Sequence, residues 1–151
     1  MIMTEAEAEC YTSGSYYFGQ RFYHGTDWLD AEKILTEGVE IERNESANYG
    51  KGFYLSKDRL IAQEVARYRS RPVILEARLK MNKPKAFATN QEALLFMDDN
   101  GIDPYGDNSG SLLTTLLQNQ GFDGVEIVDL KYVVAFHPEQ VAPYRIGGLD
   151  E

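Results

Sequence analysis

Apolar residues in this chain come only in short runs, and strand-length and helix-length runs do not alternate strictly. A doubly wound parallel sheet needs that alternation, so the pattern indicates an α+β domain instead. Residues 20–24 read as a strand, and Asp27 or Thr26 can cap a helix in which Trp28, Leu29, Ala31, Ile34 and Leu35 recur at helical spacing as far as Gly38. Phe53, Tyr54 and Leu55 read as a short strand, after which Ser56 or Asp58 can open a helix with Leu60, Ile61, Val65 and Tyr68 along one side. Val73, Leu75, Ala77 and Leu79 alternate over residues 71–79, a strand signal that Ile74 interrupts, and Pro84 ends the turn that follows. Helices are expected over residues 92–97 and 111–119, with a Gly/Asp/Pro loop at 100–110 between them. The closing runs 124–128 and 131–136 are near enough to form a hairpin around Asp129-Leu130, and a last short run passes through Tyr144 and Ile146.

A chain of 151 residues has the size of one domain. Its first 19 residues, acidic and then rich in Gly, Ser and Tyr, read as a loose arm that docks, if at all, through Tyr16, Tyr17 and Phe18; residues 20–151 form the domain proper. The net charge of −9 argues against a nucleic-acid partner, because such affinity rests on Lys and Arg that displace counterions, and it favours a protein or a small molecule. Arg67, Arg69 and Arg71 make the one close basic cluster, for which a solvated helix end is a sufficient account. With Cys10 as the single cysteine no intrachain disulfide can form, which suits a reducing compartment. The acidic start lacks the features of a signal peptide, and no stretch approaches the ~20 apolar residues needed to span a bilayer. The expectation is a soluble, cytoplasmic protein without a membrane partner. Two histidines and one cysteine, with no HExxH or CxxC spacing, give no expectation of a metal. A phosphate-binding P-loop, a GxGxxG fingerprint and a GxSxG elbow are likewise absent from the sequence.

What remains are two segments separated by a helix-length gap, Tyr23-His24-Gly25-Thr26 and Tyr49-Gly50-Lys51-Gly52-Phe53-Tyr54-Leu55-Ser56. Histidine can hydrogen-bond a ribose hydroxyl, glycine lets a backbone approach a planar ligand, and an aromatic ring can stack on it. The pairing points to a nucleotide pocket.

These motifs resemble those of the ADP-ribosyltransferase superfamily, in the His-Tyr branch that holds diphtheria toxin, the poly(ADP-ribose) polymerases and small phage and bacterial toxin-like domains. His24-Gly25-Thr26 is similar to that family's strand-ending His-Gly-Ser or His-Gly-Thr, and Tyr49-Gly50-Lys51-Gly52-Phe53-Tyr54 to its Phe-Gly-Lys-Gly-Ile-Tyr. Residues 131–141 resemble its terminal strand and the Gln-Val segment that follows. The resemblance covers roughly residues 20–146 and implies a split β-sheet cleft, flanked by helices, that binds NAD as co-substrate with its nicotinamide end buried and without a metal. His24 would bond the adenine-side ribose, the Gly25 backbone would hold the nicotinamide carboxamide, and Tyr54 would stack on the nicotinamide ring. Tyr68, about one helical turn beyond the family position, would supply a second ring. Tyr23, Thr26, Tyr49, Gly52, Phe53 and Ser56 would complete the binding wall.

The implied activity is mono-ADP-ribosyl transfer from NAD to a macromolecular acceptor, by the charge argument a protein, with release of nicotinamide. Breaking the ribose–nicotinamide bond builds positive charge on the sugar, so the site needs an anion there and a dry pocket for the leaving group. In the family a glutamate opens the terminal strand, where this chain has Lys131. Asp129, two residues earlier and on the same face if the strand extends back to it, is the first candidate for the acid, and Glu126 on the preceding run is the second. Loss of the glutamate also argues against polymer synthesis, which that residue supports in the family. Two alternatives stay open: an inactive relative that holds NAD or ADP-ribose as sensor or scaffold, and a tRNA 2′-phosphotransferase-like enzyme, which shares His-Gly-Thr but wants basic elements that this chain lacks. The acceptor would be chosen by the loops at 39–49 and 98–110, which carry no readable code.

Overall fold

Thr4 caps the first helix by exchange with Glu7: its hydroxyl accepts from the Glu7 amide, and its own amide donates to the Glu7 carboxylate, both at 3.1 Å. A computed structural model describes residues 2–41 and 49–150, and in it this capping box opens α1 (Glu5–Tyr11). There follow β1 (Phe22–Asp27), α2 (Trp28–Glu37), β2 (Phe53–Ser56), α3 (Arg59–Ala66), β3 (Pro72–Leu79), β4 (Pro84–Phe87), α4 (Asn90–Asp99), α5 (Ser109–Asn119), β5 (Gly124–Ile127), β6 (Tyr132–Ala135) and β7 (Val141–Gly147). The architecture is α+β: among the described residues, five α-helices surround one seven-stranded mixed sheet of order β4-β5-β6-β2-β1-β3-β7. Only β4 and β5 run parallel to each other. No described helix is long and apolar enough to cross a membrane.

The capping chemistry explains most boundaries. Asp27 ends β1 and accepts from the Leu29 amide at 3.1 Å, so strand passes into α2 without a loop, and Gly38 at φ +92° stops that helix. Asp58 starts α3 in the same way by accepting from Leu60. The sheet then divides two cores. Phe22, Leu55, Leu75, Leu79 and Val133 pack on one face with Ile34 of α2 and with Tyr17, while Val125, Ile127, Val134 and Phe136 pack on the other with Met97 of α4 and Leu113 and Leu117 of α5. Each such side chain contributes about 1.5–3 kcal/mol of burial free energy.

Four expectations are corrected. The N-terminal arm is no loose segment: α1 packs on β7 through Ala8, Glu5 pairs with Arg21 at 2.8 Å, and the Tyr11 hydroxyl donates to the Glu139 carbonyl at 2.6 Å. Of the three aromatic residues expected to dock it, only Tyr17 is buried, with Tyr16 and Phe18 exposed. The helix after the second motif ends at Ala66, short of Tyr68, and buries Ala62 and Ala66 rather than Leu60 and Val65. Pro84 begins a strand instead of ending a turn; at the first residue of β4, on the sheet edge, its missing amide costs little pairing. The expected hairpin is present, with β5 antiparallel to β6 and Lys131 in the left-handed region at φ 59°. Most of the expected loop at 39–49 lies outside the described residues.

Candidate functional site

The sheet is nearly severed between β1 and β2. β1 pairs with β3 along its whole length, yet it pairs with β2 only where Tyr23 lies opposite Ser56. Beyond that rung the strands part, leaving a three-stranded piece, β1-β3-β7, beside a four-stranded one, β4-β5-β6-β2. In-plane backbone direction alternates along a strand, and the Tyr54 carbonyl faces β1, where it meets the His24 ring. Ser56 and its partner Tyr23 therefore face each other, and Gly25, two residues on, turns its amide and carbonyl into the gap, where no described strand pairs with them.

Two cavities meet in this gap. The larger, about 470 Å³, lies on the α2 side and is lined by His24, Gly25, Thr26, Gly52, Phe53 and Tyr54 with Asp30, Lys33, Glu40, Val65 and Arg69. The smaller, about 290 Å³, lies toward α3 and is lined by Tyr23, His24, Gly25, Tyr49, Tyr54 and Ser56 with Ile61, Ala62, Val65 and Tyr132. His24, Gly25, Tyr54 and Val65 belong to both. Together the cavities have the size usual for small-molecule sites, about 300–1,000 Å³.

His24 is fixed in one chemical state. Its Nδ1 lies 2.8 Å from the Tyr54 carbonyl oxygen, which can only accept, so Nδ1 carries the proton. Burial pushes the imidazole pKa below the usual histidine value; the Tyr54 carbonyl and Asp30 act in the opposite sense, and Arg69 adds to the lowering. The neutral ring keeps Nε2 as an acceptor suited to a hydroxyl donor. The Phe53 ring, 4.3 Å away between centroids, holds the imidazole in place. Thr26 donates its hydroxyl to Asp30 at 2.7 Å, which orients that carboxylate on the same cavity wall.

Tyr54 is fixed as well. Its hydroxyl donates to the Gly50 carbonyl at 2.7 Å and accepts from the Tyr49 amide at 2.9 Å, so the phenol closes the Gly50-Lys51-Gly52 turn and the ring is left as a cleft wall. Burial raises its pKa, and it stays neutral across the physiological range. The glycines are required by close approach. A Cβ on Gly25 would stand 2.0 Å from the Ala62 carbonyl oxygen of α3, and one on Gly52 would stand 2.3 Å from the Ala135 carbonyl oxygen of β6. These contacts bring α3 onto β1 and β2 onto β6 tightly enough to shape both walls. Ser56 turns inward locally: its hydroxyl donates to the Asp58 carbonyl and accepts from the Asp58 amide.

The two candidate acids are placed differently, and neither lines a cavity. Glu126 is 7% exposed and clamped between the Tyr17 hydroxyl and Lys57 Nζ, each at 2.6 Å. Its cross-strand neighbour Val133 belongs to the core on the α2 face, opposite to the face that holds Tyr54 and Val134. Asp129 is exposed, accepts from the Asn90 amide at 3.1 Å, and lies near enough to Tyr49 to help burial raise that phenol's pKa. The Tyr49 hydroxyl in turn donates to the Asn90 side chain. Lys131 points elsewhere, toward Asp58 at 3.3 Å.

Tyr68 is 86% exposed and lines neither cavity. On α3 the wall is made one turn earlier, by Ile61, Ala62 and Val65, and from β6 by Tyr132, whose ring meets that of Tyr54 edge-on at 6.5 Å. The sequence held the signal for these residues in the spacing of Ala62 and Val65, three apart on a face that begins at Asp58. For Asp30, Lys33 and Arg69 it held none, because charged residues on a helix face and in a turn read as solvated. Neither a protein-family model nor a curated protein sequence matches this chain.

Proposed function

We propose that the protein is a mono-ADP-ribosyltransferase of the His-Tyr type, which binds NAD in the cleft between β1 and β2 and transfers ADP-ribose to a protein acceptor. The observation that carries this reading is the convergence of His24 and Gly25 from one half-sheet and Tyr54 from the other on both cavities. A neutral imidazole whose Nε2 has no partner among the described residues suits a ribose hydroxyl, a Gly25 amide and carbonyl that no described strand pairs with suit a carboxamide, and a ring whose hydroxyl is tied back suits stacking. NAD supplies the ribose–nicotinamide bond; the chain's part is to orient the sugar, enclose the leaving group in an apolar wall of Ile61, Ala62 and Val65, and supply an anion. Asp129 is the better candidate for that anion, since its carboxylate is exposed and acts on Tyr49 in the wall. The charge of −9 favours a protein acceptor over a nucleic acid.

A second reading, a domain that holds NAD or ADP-ribose without reacting it, is favoured by Lys131 at the position of the family's glutamate and by the structural tasks of Glu126 and Asp129. Nicotinamide release from NAD, with and without a cell lysate, tests both. Under the first reading release falls by about 10²–10³-fold in Asp129→Asn and in His24→Ala. NAD binding without any release leaves only the second reading, and absence of NAD binding by calorimetry removes both.

A further inference from the structure

The larger cavity carries two cations, Lys33 of α2 and Arg69 of the turn between α3 and β3. Lys33 is already paired, its Nζ 3.2 Å from the Glu40 carboxylate. The other acid on this wall, Asp30, accepts from Thr26. Arg69 differs from its neighbours in the cluster: Arg67 pairs with Glu64 at 2.7 Å, whereas only the backbone amide of Arg69 is tied down, to the Ala66 carbonyl at 2.9 Å. Among the described residues its guanidinium has no ion pair and no hydrogen bond. It is close enough to His24 for its charge to oppose protonation of that ring. A guanidinium whose donors have no partner among the described residues, on a cavity wall of a strongly acidic protein, is matched by an anion that comes from outside, and its planar fork suits two oxygens of a phosphate.

We propose that Arg69 is the phosphate-binding residue of the cleft and takes the diphosphate of the dinucleotide. This rests on the NAD reading above and adds an orientation: the adenosine-diphosphate half occupies the α2-side cavity and the nicotinamide half the cavity of Tyr49, Tyr54 and Tyr132. His24, shared by the two cavities, then stands at the junction of the halves, where a ribose hydroxyl meets it.

Calorimetric titration of wild type, Arg69→Gln and Arg69→Lys with NAD, ADP-ribose, nicotinamide and inorganic pyrophosphate tests the assignment. Arg69→Gln is expected to weaken NAD, ADP-ribose and pyrophosphate by about ten-fold or more, as loss of a charged hydrogen bond requires, and to leave nicotinamide unchanged. Arg69→Lys, which keeps the charge without the fork, is expected to fall between. Binding of NAD and ADP-ribose by Arg69→Gln at wild-type strength overturns the phosphate site and leaves the NAD reading standing. Arg69-dependent binding of pyrophosphate by a wild type that ignores NAD and nicotinamide supports the phosphate site and removes the NAD reading. Wild type that binds none of the four overturns both.

Discussion

His24 on β1 donates its Nδ1 proton to the backbone carbonyl of Tyr54 on β2 across 2.8 Å, so the first motif is hydrogen-bonded to the second where the strand ladder between them has ended. The bond joins the half-sheets and sets the imidazole tautomer in one step.

That histidine makes stability depend on pH with a definite sign. Its folded pKa lies below the ordinary value, so the unfolded chain binds more protons as pH falls; the stabilisation is complete above the usual histidine range and is lost below it. Urea unfolding at pH about 7 and about 5 is expected to show a loss of stability in wild type that is smaller in His24→Gln. Equal losses in the two proteins would place the acid sensitivity elsewhere. NAD affinity is expected to stay level from pH about 8 down to about 6.5, since Nε2 remains an acceptor over that interval.

Gly25→Ala is expected to destabilise the fold by about 3 kcal/mol or to prevent folding, because the new methyl meets backbone of α3 that has no room to yield. Gly14→Ala, with nothing within 4 Å of the added atom, serves as control and is expected to be near neutral. Chemical denaturation of the pair measures the difference. A mild Gly25→Ala phenotype would mean that α3 does not lie on β1 as described.

Tyr17→Phe removes the hydroxyl that donates to Glu126 and leaves a buried carboxylate with Lys57 as its remaining partner. The expected cost is about 1–3 kcal/mol, with no change in NAD affinity or nicotinamide release. A selective change in release at unchanged NAD affinity would instead identify Glu126 as the acid of the reaction.

Lys131→Glu places a carboxylate at the start of β6, where the ADP-ribosyltransferases that the motifs resemble carry an acid. Nicotinamide release is expected to rise above wild type, and Lys131→Glu is expected to restore release in an Asp129→Asn background. Lys131 now pairs with Asp58, whose carboxyl is held low first by the Leu60 amide and then by Lys131, so the exchange brings two acids together at an exposed site. A thermal melt close to wild type is expected, since exposed pairs contribute little. Release that falls in the single variant would show that the cleft does not use an anion from this position.

Elements with local signals were legible from the residues alone. α2 was bounded by Asp27 and Gly38, α3 by Asp58, and the β5–β6 hairpin by its spacing, because a cap or a turn is chemistry between near neighbours. β4 was not legible: Lys85 and Ala86 have no strand pattern, and its pairing with β5 depends on chain some 40 residues away, as the register of Ala86 with Glu126 shows. β3 was legible from the alternation of Val73, Leu75, Ala77 and Leu79, and Ile74 interrupts that pattern because both faces of the strand are covered, with Glu76 and Arg78 buried as well. Within the site the two motifs were readable, since glycine and histidine carry distinct chemistry. Tyr68 was misjudged by one helical turn, because a helix that stops at Ala66 leaves the next aromatic in solvent. The clamp on Glu126 was invisible, since it needs Tyr17 to cross from a segment that composition describes as a loose tail.

The lone rung of Tyr23 and Ser56 makes the sheet behave mechanically as two plates on one pin. Widening the slot between them strains no strand pairing within either plate, so a guest can be admitted without melting secondary structure. Beyond that rung the plates are joined by the imidazole-to-carbonyl bond of His24 and by the shared core in which Phe22 and Leu75 of one plate pack with Leu55 and Val133 of the other. In a sheet divided this way the backbone ladder is interrupted at the cleft and continuous in the plate on either side of it.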